Sequence, residues 1–171
     1  MVVGGGFPPV ACSRGKLMAS ASAKPVRRRI LIVEDQAILG MELEFVLEGA
    51  GHQVIGVAVD TRQALGLAEA ATPELAVVDI NLKDGATGPK IAEAMADLGV
   101  TVLFATAEPE LIPDQFAGAF GVVVKPYSAP SVKLAVDYCL ALRDGLDPGP
   151  PPLHLLLAPW LSARLGGKGL N

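Results

Sequence analysis

A chain of 171 residues that is 51% hydrophobic and carries a net charge of −4 is long enough to bury one substantial core, and regular patterning is confined to residues 30–144. The charge is uneven: residues 1–29 hold six Lys/Arg and no acid, whereas residues 30–144 hold six against seventeen Asp/Glu; a central stretch at −11 repels phosphate backbones, which excludes direct nucleic-acid binding as its task. Cys12 and Cys139 are too few for a disulfide framework and point to a reducing, cytoplasmic setting, and no apolar run approaches the roughly 20 residues that span a bilayer.

In chain order, residues 1–28 read as a flexible N-terminal extension. The opening MVVGGGFPPVACS lacks a basic start and a continuous apolar core, so it is not expected to be a signal peptide, and Met18 is an alternative initiator. Arg27, Arg28 and Arg29 read as a solvated approach to the first strand. Five runs follow at 30–33, 54–59, 75–78, 100–105 and 121–124, each rich in β-branched or aliphatic residues and too short for a helix. Between the first two lies an apolar stripe, Leu39, Leu43, Val46, Leu47 and Ala50, stopped by Gly51. Asp60 and Gln63 resemble a capping pair at the head of a second helix that buries Ala64, Leu67, Ala68 and Ala71. Pro89 suits the first turn of a third helix carrying Ile91, Met95 and Leu98.

The next interval, residues 107–120, contains Pro109 and Pro113. A proline in a helix interior removes a hydrogen bond, so the fourth helix is expected to be short or irregular, and the segment is a candidate for mobility. The last stripe is Val132, Ala135, Val136, Cys139 and Leu140, with Cys139 read as a buried small hydrophobe. The pattern predicts an α/β fold: a doubly wound, five-stranded parallel sheet with helices on both faces. Residues 145–171 form a Pro-rich, partly apolar C-terminal tail, expected to be disordered or loosely docked. His154 is isolated from other ligand types and is assigned no role.

Polar residues close the apolar runs. Glu34 and Asp35 end ILIVED, Asp79 ends LAVVD, Thr106 follows VLFA and Lys125 follows VVV. In a parallel sheet the carboxyl ends of the strands meet at the crevice where such folds bind ligands. Three carboxylates, a hydroxyl and an ammonium gathered there suit Mg²⁺ and a phosphoryl group. Crowded acids raise the cost of ionisation unless a divalent cation is present, and oxygen ligands select Mg²⁺.

Taken together, and in this order, Glu34-Asp35, Asp79, Thr106 and Lys125-Pro126 resemble the functional set of bacterial response-regulator receiver domains, the phosphoacceptor partners of sensor histidine kinases. The resemblance covers residues 29–144 and implies the flavodoxin-like receiver fold. It implies that Asp79 is the phosphoacceptor, that Asp35 and Asp79 ligate Mg²⁺ directly, and that Glu34 acts through water while the backbone carbonyl of Asn81 adds a ligand. Thr106 would hydrogen-bond a phosphoryl oxygen and Lys125 would neutralise its charge. The bond before Pro126 would be cis, aiming the lysine at the site. A histidine kinase or histidine phosphotransfer protein is the implied donor, with an unidentified protein downstream, and the chain is expected to be a stand-alone phosphoacceptor rather than a turnover enzyme.

Two departures bear on signalling. Many receivers carry an aromatic residue three positions before the lysine, where this chain has Val122. Phe104-Ala105-Thr106 and the proline-broken segment resemble the FAT-GUY subclass, although that motif continues with glycine where this chain has Ala107. The haloacid-dehalogenase phosphatases also use a strand-end aspartate, but need a second aspartate two residues later, where Asn81 stands; the general acid is missing. A receiver-like adaptor that binds partners without phosphorylation is the alternative, and the complete set of acids, threonine and lysine argues against it.

Overall fold

The computed structural model describes residues 26–166, so the N-terminal extension expected over residues 1–28, with Cys12 and Met18, lies outside the described residues up to residue 25. Five parallel strands and their crossovers follow the predicted order: β1 (Arg29–Val33), α1 (Ala37–Gly49), β2 (Gln53–Ala58), α2 (Thr61–Ala71), β3 (Leu75–Val78), α3 (Gly88–Asp97), β4 (Thr101–Thr106), β5 (Gly121–Val124) and α4 (Ala129–Arg143). The sheet order is β2-β1-β3-β4-β5-β6, where β6 (Leu155–Leu157) lies antiparallel against β5. The expected sheet of five is therefore present, and the stretch read as a loose tail adds a sixth strand and a further helix, α5 (Pro159–Gly166). Within the described residues, 145–166 is a docked strap along the β5 edge.

Side chains alternate across the sheet. Leu31 and Val33 enter the layer beneath α2 and α3 with Ile91, Met95 and Phe104. Ile30 and Ile32 enter the opposite layer with Leu43 and Leu47 of α1 and Val132, Ala135, Val136 and Cys139 of α4. Burial pushes the Cys139 thiol up to about 12, which leaves it an inert core group. β3 is buried along its whole length, as a central strand covered on both faces must be.

Local signals explain the boundaries. Asp60 caps α2 by accepting from the Gln63 backbone N–H at 2.8 Å, Pro89 stands in the first turn of α3, and Gly51 leaves α1 at φ 92°. Leu98 corrects the third stripe: α3 ends at Asp97, the chain turns, and Leu98 is 56% exposed, while Ala92 joins Ile91 and Met95 on the buried face. The fourth helix is irregular, as its prolines require. Two short 3₁₀ turns, Pro109–Leu111 and Phe116–Gly118, replace it. Phe116 and Ala117 both take left-handed conformations, at φ 56° and 48°, which L-residues with side chains adopt only when surroundings hold them. Ala117 and Ala119 are buried, and Ile112 and Phe116 pack on the core.

Arg28 is more than a solvated approach to β1. Its guanidinium donates to Glu74 at 2.8 Å and also pairs with Asp144, tying the start of the sheet to the end of α4. Among the described residues no helix is long and apolar enough to cross a membrane.

Candidate functional site

The carboxyl ends of β1, β3, β4 and β5 bring the predicted residues to one place. Asp79 follows β3 and is 6% exposed, Glu34 follows β1 and is 1% exposed, and Thr106 ends β4. A cleft of about 270 Å³ is lined by Asp35, Gln36, Asp79, Asn81, Thr106, Ala107, Glu108 and Lys125. Asp35 is exposed at its rim. Glu34 does not line the cleft but lies behind Lys125.

Lys125 binds the acids together. Its Nζ donates to Glu34 Oε2 and to Asp79 Oδ2, each at 2.6 Å. The second oxygens are also occupied: Glu34 Oε1 accepts from the Gln36 N–H at 3.1 Å, and Asp79 Oδ1 from its neighbour Ile80 at 2.7 Å. Burial raises the Glu34 pKa above its ordinary value, with the Lys125 hydrogen bond pulling the other way. For Lys125, burial acts to lower the pKa, but hydrogen bonds to Asp79 and Glu34 outweigh it and the result is raised. The ammonium therefore stays charged between two carboxylates. The Lys125-Pro126 peptide bond is cis.

Thr106 Oγ1 accepts from the backbone N–H of Glu108 at 3.2 Å, which ties the hydroxyl to the start of the 107–120 segment. Val122 is buried in the core layer below. Asp84, in the loop beyond Asp79, accepts from Thr61 and Thr87, and these bonds draw its carboxyl down to about 2.

The donor set tests the implied Mg²⁺. Among the described residues no three acidic, His or Cys side chains are grouped as a ready cluster, and Glu34 is committed to Lys125. Mg²⁺ keeps several waters and takes one or two carboxylates. Asp35 and Asp79, opening with Asn81 onto the same cleft, fit that requirement.

One contributor was missed by sequence reasoning. Gly88 reads as a turn former, yet its φ is ordinary; what demands glycine is proximity. A Cβ there would lie 2.4 Å from the Asp79 carbonyl oxygen and 2.5 Å from Ile80 Cα. The head of α3 thus rests on the backbone carrying Asp79, and Gly88 N–H donates to Ile80 O at 3.0 Å. Tyr127, two residues after Lys125, does not line the cleft; burial pushes its hydroxyl up to about 12, and the oxygen has no partner among the described residues. The outer face of α1 also carries Ile38, Met41 and Phe45, 81%, 68% and 80% exposed.

Comparison with known proteins bears on the family and the fold. The family model of the response regulator receiver domain matches residues 30–137. The phyllosphere-induced regulator PhyR of Methylorubrum extorquens is 35% identical over 126 residues, covering 71% of this chain and 47% of that protein. The transcriptional regulatory protein PdtaR of Mycobacterium tuberculosis is 33% identical over 119 residues, 66% of this chain and 58% of that one. The chain thus spans about half the length of these curated relatives. Among solved structures, the receiver domain of Erythrobacter litoralis PhyR superposes with a TM-score of 0.60 at 27% identity, covering 74% of this chain and 97% of that domain. The response regulator PhyR from Brucella abortus gives 0.61 at 31% identity, covering 70% and 50%.

Proposed function

The chain belongs to the response-regulator receiver domain family, and from that membership we propose that it accepts a phosphoryl group from a phosphohistidine donor onto Asp79 and changes a protein interaction as a result. The observation that carries this reading is Lys125 Nζ held 2.6 Å from both Glu34 and Asp79 at the strand ends, beside a cleft that Thr106 and Asn81 also line. In the transfer, an Asp79 carboxylate oxygen bonds to phosphorus as the phosphorus–nitrogen bond of the donor breaks, and the electron pair of that bond stays on the imidazole ring. Lys125 supplies a fixed positive charge against the equatorial oxygens, and the Thr106 hydroxyl donates to one of them once the group has arrived.

Receiver domains bind Mg²⁺ for phosphorylation. Here Asp35, Asp79 and the backbone carbonyl of Asn81 would hold the ion, with Glu34 acting through water; bound there, it neutralises charge on the transferring group. The donor is a histidine kinase or histidine phosphotransfer protein. A protein donor, unlike a small phosphodonor, would cover the apolar Ile38, Met41 and Phe45 that α1 presents immediately after the acidic pair.

Incubation of the chain with acetyl phosphate and Mg²⁺ should add one phosphoryl group by intact-mass measurement, and Asp79→Ala should abolish it. Equal labelling of Asp79→Ala overturns the assignment.

A further inference from the structure

The strap is bolted to the segment that leaves the phosphoryl site. Trp160 of α5 donates through Nε1 to the carbonyl of Ala119 at 3.1 Å, and its ring meets Phe120 edge to face, 5.5 Å between centroids at 81°. Ala158 N–H donates to Phe120 O at 2.9 Å. β6 then runs back along β5, pairing Leu157 with Gly121 and Leu155 with Val123.

The seat is specific to this arrangement. A Cβ at Gly121 would lie 2.5 Å from the Leu156 carbonyl oxygen, so only glycine at that position lets β6 approach. The 107–120 segment is therefore held at both ends, by Thr106 Oγ1 on Glu108 N–H near the cleft and by α5 at Ala119 and Phe120. Between the holds lie Phe116 and Ala117, two consecutive left-handed residues. Strain of that kind persists only while the surroundings enforce it.

We propose that the β6–α5 strap is a latch on the receiver, linked through residues 107–120 to the occupancy of Asp79. The inference rests on the phosphoacceptor reading. When Thr106 turns to a phosphoryl oxygen, Ala107 and Glu108 move with it, the left-handed pair relaxes, and the Ala119 carbonyl withdraws from Trp160. The phosphorylated form then carries a loosened strap and a partly uncovered β5 edge. By linkage, a seated strap disfavours the phosphorylated state by the same factor.

Trp160 is the sole tryptophan of the chain and reports on its own latch. The test loads the full chain with beryllofluoride and Mg²⁺, follows loading by fluorine NMR, and reads Trp160 emission together with amide hydrogen exchange over residues 107–120 and 155–166. Loading should shift the Trp160 emission and speed exchange in both segments. In parallel, Trp160→Phe, which keeps the ring contact but removes the Nε1 donor, should raise exchange over 107–120 about fivefold, the effect of one lost hydrogen bond. Gly121→Ala should do the same by obstructing β6. Full loading with an unmoved strap overturns the latch and leaves the phosphoacceptor reading standing. Failure to load overturns the phosphoacceptor reading and with it the link to Asp79; unchanged exchange over 107–120 in both variants overturns the coupling between strap and segment.

Discussion

Replacing Lys125 by methionine removes the cation from between two buried acids and nearly preserves side-chain volume. Glu34 and Asp79 are then left with one backbone N–H apiece, from Gln36 and Ile80. Breaking a buried ion pair by deleting one partner costs about 3–5 kcal/mol, and the cleft's opening to water places this case near the lower end, about 3 kcal/mol at pH 8. Glu34 can reduce that cost by taking up a proton. Burial already holds its pKa above the ordinary 4.5, and the Lys125 hydrogen bond is the largest influence opposing that rise. A carboxyl whose folded pKa is raised contributes stability that is fully present below the unfolded value and lost as pH rises through the folded one. Without the lysine the folded pKa of Glu34 rises further, so the penalty of Lys125→Met shrinks as pH falls through the variant's folded value, by up to about 1.4 kcal/mol per pH unit, until the wild-type folded value is reached. Wild-type Lys125 does not confuse the comparison: its pKa is raised above 10.5, so its contribution is constant from pH 5 to 8 and is lost only as pH climbs through that raised value. Urea denaturation of both chains at pH 5, 6, 7 and 8 in EDTA measures the difference. Destabilisation that is equal at pH 5 and pH 8 refutes the argument.

Two further outcomes follow from packing and pairing. Gly88→Ala should destabilise the fold by about 2 kcal/mol through overpacking against the Asp79–Ile80 backbone, and should slow acetyl-phosphate labelling of Asp79; unchanged stability and labelling would show that the contact is relieved at no cost. Glu74 is held below its ordinary 4.5: burial pushes upward, but hydrogen bonds from the Arg29 backbone and the Arg28 guanidinium prevail. Its contribution is present above 4.5 and lost as pH falls through the lower folded value, so Glu74→Gln should cost about 1 kcal/mol at pH 7 and progressively less in acid, measured by urea midpoints from pH 7 to pH 3.

The strands were legible because central parallel strands, covered on both faces, must be apolar throughout, and LAVVD or ILIVED leaves few other readings. The site was legible for the same reason: a charge at the end of such a run has nowhere to go except the crevice. Pro109 and Pro113 likewise announced the broken fourth helix through the hydrogen bonds they lack. The sixth strand was not legible. Leu155–Leu157 is three residues long, follows three prolines, and has no period to display; its pairing depends on Gly121, more than thirty residues earlier, having no side chain. Gly88 is obscure for a related reason, since a glycine needed for proximity looks identical in sequence to one needed for a turn. Leu98 fits the spacing of α3 but falls one residue past its end. Arg28 sits in a basic run whose partners, Glu74 and Asp144, are distant in sequence.

The acidic pair itself supports a sharper expectation. Counted formally as three carboxylates and one ammonium, Glu34, Asp35, Asp79 and Lys125 sum to two negative charges, and phosphorylating Asp79 replaces one of them by about two. A divalent cation is the compact way to offset that charge, and the two neighbouring acids are unequally placed to hold it. Glu34 is 1% exposed and both of its oxygens are engaged, one by Lys125 and one by Gln36. Asp35 is exposed and lines the cleft beside Asp79 and Asn81. Removing a direct ligand loses a bond to the ion, whereas removing a group that acts through water or through Lys125 loses only orientation. Asp35→Ala should therefore weaken Mg²⁺ binding by about 100-fold, and Glu34→Gln, which keeps an oxygen for Lys125, by about tenfold or less. Mg²⁺ titration followed through the amide resonances of Asn81 and Thr106 distinguishes the two. A larger loss in Glu34→Gln than in Asp35→Ala would mean that the ion sits behind Lys125 rather than in the cleft, and that the lysine must leave before a phosphoryl group can be held.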